Sequence, residues 1–306
     1  MSITFTGKVA VVTGAGHGLG KSYALFLASR GARLVVNDFG GSENGAGKSQ
    51  EPAKRVAEFI RDKGGVAVPN FDSIAEPLGA QRIVDDAIKQ FGTVDILINN
   101  AGILRDKTFL NMPQEDFDEV LKVHLMGSVY VTRAALPIMK AKAYGRIVMT
   151  TSIAGLFGNF GQTNYSTAKM GIVGFMNALR LEVEKYNIFI NTVAPLAVTR
   201  LAKRSGIFPQ EIGSLLRPGL VCPLVVYLCS DLCRTSGDII CAGGGYFARA
   251  QILQGPGVRF DPKDEITPEV IAENYESIMN MEGAISFLDA RESLQVALRP
   301  FLEHAP

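Results

Sequence analysis

Tyr165 and Lys169 stand four residues apart in NYSTAK (164–169), so a helix would carry both on one face. A tyrosine hydroxyl titrates near about 10 and is a poor base at neutral pH. A lysine ammonium beside it favours the phenolate and lowers that value. Ser152, thirteen residues upstream in VMTTSIAG, supplies a hydroxyl that can hold a carbonyl or alcohol oxygen while Tyr165 moves its proton. Together the three residues are equipped for proton transfer at an oxygen-bearing carbon.

A second set of residues suits a dinucleotide. TGAGHGLG (13–20) follows an apolar run and opens a helical pattern, the context that gives a glycine-rich motif weight. Gly14 and Gly16 permit the tight turn, while Gly18 and Gly20 allow a pyrophosphate and the next helix to come close. The helix N-terminus then offers free N–H groups and a positive dipole end. His17 and Leu19 complete the loop, His17 reading most simply as a solvent-facing residue. Asp38 ends the next apolar run, where a carboxylate accepts both ribose hydroxyls of an adenosine and repels the extra phosphate of NADP. Neither Arg nor Lys stands at position 17 or beside Asp38, so NAD is the expected cofactor. The other reading of Asp38 is a turn former before Gly40 and Gly41. Asp72, with Ser73 after it, is placed to meet the adenine amine, and Asn99, Ala101 and Gly102 of NNAG close a further strand at the same crevice.

These residues must be positioned by elements that alternate along the chain. Short β-rich runs such as KVAVVTG, RLVVND, VAVPNFD, VDILINNAG, GRIVMTTS, IFINTVAP and DIICAGG are separated by helix-length amphipathic segments. That alternation predicts βαβ units with right-handed crossovers and one parallel sheet covered on both faces. Seven strands form a doubly wound, Rossmann-like α/β domain over residues 1–245. Residues 246–306 form a C-terminal extension, packed on the same domain, with helices at TPEVIAENYESIMNM and DARESLQVALRPFLEH. The run EDFDEVLKVHLMGSVYVTRAALPIMKAKAYG reads as one long or broken helix with His124 inside it. The polar stretch 37–52 and the segment 196–219 do not fit the alternation.

Bulk properties exclude other classes. Of 306 residues, 47% are hydrophobic and 20% charged, and the formal net charge is +1, which offers no footprint for nucleic acid. No apolar run approaches the roughly 20 residues of a membrane span. The N-terminus enters a strand pattern almost at once, and an intracellular protein is expected. Cys222, Cys229, Cys233 and Cys241 follow a C-x6-C-x3-C-x7-C spacing with no nearby histidine. They read as buried structural thiols, with no metal site expected.

Four motifs in order, TGAGHGLG, NNAG, the serine of TTSIAG and the YSTAK helix, resemble the short-chain dehydrogenase/reductase family over residues 5–245. The resemblance implies hydride transfer to or from nicotinamide, with Ser152, Tyr165 and Lys169 catalytic. NDFGG, NNAGILRDKTF, VHLMGS, GNFGQTNYSTAK and TPEVIAENY further resemble the (3R)-hydroxyacyl-CoA dehydrogenase units of type 2 peroxisomal multifunctional enzymes. That implies NAD, an acyl-CoA substrate and a homodimer. Hydroxysteroid dehydrogenases and ketoacyl reductases are the alternatives inside the family, and an idle dinucleotide-binding scaffold is the alternative outside it. Where the family usually has an asparagine that holds a water near the lysine, this chain has His124, whose neutral ring could hold a similar water or titrate near neutral pH. Pro195 and Thr199 fall where the family contacts the carboxamide, although Leu196 follows Pro195 and Thr199 comes one residue early. The resemblance implies a peroxisomal setting, but the chain ends His304-Ala305-Pro306 without an S-K-L type address, which leaves the cytoplasm open.

Overall fold

The computed structural model describes residues 2–199 and 214–303. The expected alternation is present: β1 (Val9–Thr13), α1 (Gly18–Ala28), β2 (Arg33–Asn37), α2 (Glu51–Asp62), β3 (Val66–Asn70), α3 (Pro77–Phe91) and β4 (Ile96–Asn99) come first. After them come α4 (Gln114–Leu121), α5 (Gly127–Lys142), β5 (Gly145–Thr150), α6 (Ile153–Phe157), α7 (Thr163–Val183), β6 (Ile188–Pro195), α8 (Cys222–Leu228), β7 (Ile239–Gly243) and β8 (Tyr246–Ala250). The strands form one sheet in the order β3-β2-β1-β4-β5-β6-β7-β8.

Strands β1 to β7 pair in parallel, with Val11 facing Val35 of β2 on one side and Leu97 of β4 on the other. Every residue of β1 and β5 is buried, as helices on both faces require. One core layer joins the sheet to α1, α2 and α8 through Leu27, Leu34, Ile60, Val225 and Leu228. On the other layer α3 packs against α5, and α7 against β6. The chain runs outward from β1 to β3 and then returns to β4 on β1's other side. The crevice at this reversal, beyond the carboxyl ends of the strands, is where ligands bind in such sheets.

Seven strands were expected, and eight are present among the described residues. The eighth, YFARA, follows β7 after only Gly244 and Gly245, a link that permits only an antiparallel return. It lies at the sheet edge, and none of its residues is buried, so it lacks the apolar run that marked the other strands. The chain divides into two compact units, Met1–Arg249 and Ala250–Pro306. In the second unit, Gln254 and Ile285 exchange main-chain hydrogen bonds. The Thr267 hydroxyl caps α9 (Pro268–Glu273), confirming the Thr-Pro-Glu helix start. Two further helices follow, α10 (Tyr275–Ile278) and α11 (Ala290–Glu303).

All four cysteines are buried with free thiols. The segment 200–213, inside the long stretch 196–219, lies outside the described residues. Among the described residues, no helix is long and apolar enough to cross a membrane.

Candidate active site

A cavity of about 300 Å³ opens at the carboxyl end of the sheet. The sequence placed Ser152, Tyr165, Lys169 and His124 in one site, and all four line this cavity. Ser152 follows β5 by two residues and caps α6, accepting the Ala154 N–H at 3.2 Å. Tyr165 and Lys169 lie one turn apart at the start of α7. Lys169 is 3% exposed. Its Nζ donates to the Thr150 carbonyl at 2.6 Å and lies 5.6 Å from the centre of the Tyr165 ring. The Thr151 hydroxyl donates to the Lys169 carbonyl at 2.7 Å, so the end of β5 grips the lysine by both its ammonium and its main chain.

Burial sets the protonation of this pair. It pushes the Tyr165 phenol up to about 12, against a Ser152 hydrogen bond that pulls it down. It brings the Lys169 ammonium down to about 7. Each charged form is disfavoured alone, while a phenolate and an ammonium this close favour each other.

His124 sits in a π-helical turn, Lys122–Met126, that joins α4 to α5. The expected long helix is therefore continuous but carries a wider turn at the histidine, a feature often found at functional sites. The ring is 2% exposed and meets the Tyr165 ring edge-on, with centres 5.1 Å apart. Nε2 lies 3.0 Å from the Ile103 nitrogen and 2.7 Å from its carbonyl oxygen, whereas buried Nδ1 has no partner. Burial, reinforced by the Lys169 charge, holds the imidazole well below its ordinary pKa. The expectation that His124 could titrate near neutral pH is thus corrected: the ring stays neutral, bonded to Ile103 through one nitrogen and offering the other. Asparagine, which the family usually carries here, places its amide where Nδ1 of the ring lies and keeps a polar group there, whereas alanine keeps none. His124→Asn should stay within about fivefold of the wild-type kcat, and His124→Ala should fall about 10²-fold. Steady-state kinetics of the two variants decide it, since equal near-wild-type rates make the ring mere packing.

The dinucleotide residues fall into two groups. Gly14, His17, Gly18, Leu19, Asp38, Asp72, Ser73, Ala101, Gly102, Pro195 and Thr199 line the cavity. Gly16, Gly20 and Asn99 support it from outside that lining. The Gly16 N–H donates to Asp38 Oδ2 at 2.8 Å, and the Gly40 N–H to Oδ1 at 2.7 Å, which fixes the carboxylate at the cavity edge. His17 is half-buried rather than solvent-facing. The Asp72 carboxylate already takes Arg82 Nε at 2.7 Å and Asn70 Nδ2 at 3.1 Å. A methyl group at Gly20 would lie 2.2 Å from the Gly14 carbonyl, so only glycine lets α1 begin this close to the loop.

Of the paired asparagines, Asn99 turns away and donates to Thr132 Oγ1 at 2.9 Å. Asn100 is the one that reaches the glycine loop, donating to the carbonyls of Thr13 at 3.0 Å and Gly14 at 3.2 Å. Side-chain alternation at a strand end distinguishes these neighbours, and composition does not. Thr150, Thr151 and Asn100 carried no sequence signal beyond adjacency to a motif.

A glycine cradle at a helix N-terminus, a fixed carboxylate and a buried tyrosine–lysine pair around one cavity fit a nicotinamide dinucleotide and an alcohol or carbonyl substrate. The comparisons agree with this class. The family model for short chain dehydrogenases matches residues 8–206, and the chain belongs to that family, whose members are oxidoreductases acting on hydroxyl groups. A short-chain type dehydrogenase/reductase of Mycobacterium tuberculosis is 47% identical over 277 residues, covering 90% of this chain and 96% of that protein. The structure of full-length peroxisomal multifunctional enzyme type 2 from Drosophila melanogaster matches with a TM-score of 0.82 and 35% identity. The match covers 98% of this chain and 50% of that one, so the chain spans half the length of the fly enzyme. A 7α-hydroxysteroid dehydrogenase complexed with NADH and 7-oxo glycochenodeoxycholic acid matches with a TM-score of 0.71 and 29% identity, over 79% of this chain and 95% of that one.

Proposed function

We propose that the protein oxidises the C3 hydroxyl of (3R)-3-hydroxyacyl-CoA to the 3-ketoacyl-CoA with NAD, a step of fatty-acid β-oxidation. The observation that carries the reading is the gathering of Ser152, Tyr165, Lys169 and His124 on one cavity whose far side holds the Asp38 carboxylate. The acyl-CoA class and the R configuration rest on likeness to the multifunctional-enzyme units, as do a homodimer and a peroxisomal setting.

A nicotinamide held by the residues of this cavity would supply the hydride acceptor for C3. The chain's own residues manage the proton. The Ser152 hydroxyl holds the substrate oxygen, and the Tyr165 phenolate takes its proton as the carbonyl forms. Lys169, anchored on the Thr150 carbonyl with its Nζ 5.6 Å from the centre of the Tyr165 ring, stabilises that phenolate. His124 braces the Tyr165 ring edge-on and leaves its buried Nδ1 free to hold a proton or a polar group. Asp38, fixed by the Gly16 and Gly40 N–H groups, would hold the adenosine ribose, and a phosphate placed against that carboxylate would cost several kcal/mol.

The test is a purified-enzyme assay with R and S 3-hydroxyacyl-CoAs of several lengths beside a steroid alcohol, each with NAD and NADP. The expected result is turnover of the R thioesters with NAD favoured about 10²-fold or more. Preference for the steroid would move the substrate to the class named with the 7α-hydroxysteroid dehydrogenase complex. Absence of turnover on any alcohol would leave a dinucleotide-binding scaffold.

A further inference from the structure

The glycine-rich stretch after β2, which broke the strand–helix alternation in the sequence, has a defined course. β2 and β4 are not neighbours, because β1 and the glycine loop at its end lie between them. The stretch nevertheless reaches the loop that follows β4. The Leu104 N–H donates to the Glu43 carbonyl at 2.9 Å, and Arg105 Nε donates to the Asn44 carbonyl at 2.9 Å. A methyl group at Gly45 would meet the Ile103 side chain at 3.3 Å, so the tip also rests on Ile103. Asp38 to Glu43 and Gly45 line the same cavity as Ile103 and Leu104. The stretch therefore bridges the crevice at the reversal point from one wall to the other, above the glycine loop.

The bridge is built at both ends. Within the tip, Asn44 Oδ1 accepts the Ser42 hydroxyl at 2.6 Å and the Ala46 N–H at 3.2 Å, and the Ser42 N–H donates to the Ala46 carbonyl at 2.8 Å. On the far wall, Arg105 Nη1 donates to Asp116 Oδ1 at 3.1 Å, and the Arg105 carbonyl accepts Asn164 Nδ2 at 3.0 Å. Asn164 Oδ1 in turn accepts the Tyr165 N–H at 2.7 Å. One arginine thus ties the bridge to the residue beside the catalytic tyrosine.

We infer that residues 39–45 form a strap that encloses the bound dinucleotide and sets its rate of release, with Arg105 as the positioning residue that latches it. The inference rests on the nicotinamide-dinucleotide reading above. A dinucleotide lying across the glycine loop from Asp38 to Lys169 passes beneath the strap, so it leaves only when the Glu43–Leu104 and Asn44–Arg105 bonds open. Two hydrogen bonds of ordinary net strength correspond to about tenfold or more in the open fraction.

The experiment uses NADH as the probe and two variants, Arg105→Leu and a chain in which Ser42–Gly47 is replaced by two glycines. NADH release is followed by stopped-flow fluorescence, and opening of the strap by hydrogen exchange at the Leu104 amide. NADH should leave about tenfold faster than from the wild type in the shortened chain and about fivefold faster in Arg105→Leu, which removes one of the two bonds, and the Leu104 amide should lose protection in parallel. The strap is overturned if the Leu104 amide exchanges faster in both variants while NADH release stays within twofold of wild type. A wild type that binds no NADH overturns the cofactor reading itself, and the strap with it.

Discussion

Tyr165→Phe should retain the fold and NADH binding while lowering alcohol oxidation by about 10³-fold or more, within the range a positioned proton-transfer group supplies. Phenylalanine keeps the ring that meets His124 edge-on at 5.1 Å and removes only the hydroxyl. The two titratable side chains that flank the Tyr165 ring are otherwise engaged. The Lys169 ammonium is held against the Thr150 carbonyl, and His124 is neutral with its Nε2 committed to Ile103. The wild-type pH profile should carry the same signature. With Lys169 near 7 and Tyr165 near 12 in the free protein, the pair sheds its first proton around neutrality. The state that remains holds one proton between two groups, and its phenolate–ammonium form is the competent base. The oxidation rate of the wild type should therefore rise with pH through about 7 and fall below it. Near-wild-type turnover by Tyr165→Phe, with NADH binding intact, would remove Tyr165 from the chemistry.

The parts of this molecule that were legible in the sequence are those where one residue type answers one physical demand. Strands covered on both faces need unbroken apolar runs, and KVAVVTG and GRIVMT supplied them. A helix packed so close to the loop that a methyl group would lie 2.2 Å from a carbonyl needs glycine, and Gly20 announced it. Tyr165 and Lys169 were found because helical spacing alone brings them together. Features set by three-dimensional neighbours were not legible. β8 has an exposed, mixed sequence because it covers an edge. The π-turn at His124 changes hydrogen bonding without changing composition, so the segment read as a plain or broken helix. The neutrality of His124 follows from enclosure by Gly102, Ile103 and Tyr165, which its local sequence does not contain. The strap looked like a solvated loop because its partners, Leu104 and Arg105, lie some sixty residues further on.

Gly102→Ala should be the most damaging small substitution in the NNAG motif. A methyl group there would lie 2.1 Å from His124 Cε1, 2.8 Å from Nδ1 and 2.9 Å from Nε2. The imidazole cannot retreat, because its edge contact with Tyr165 and its bond to Ile103 hold it on the other sides. Displacing it strips the Ile103 main chain of its partner and moves the ring that braces the catalytic tyrosine. Overpacking of this kind costs about 1–3 kcal/mol, and a buried main-chain group left unpaired adds to that. In a domain of this size the expected loss is about 5 °C or more in Tm, together with at least about a 10²-fold loss in kcat. A second substitution separates this cause from general disruption at the end of β4. Asparagine is smaller than histidine and leaves empty the space that Cε1 and Nε2 fill beside position 102, so His124→Asn should relieve the clash when placed in the Gly102→Ala background. The double variant should melt higher and turn over faster than Gly102→Ala alone, a coupling that independent sites do not show. If His124→Asn lowers Tm equally in both backgrounds, the clash with the ring is not what glycine prevents, and His124 loses its claim to have shaped the motif beside it.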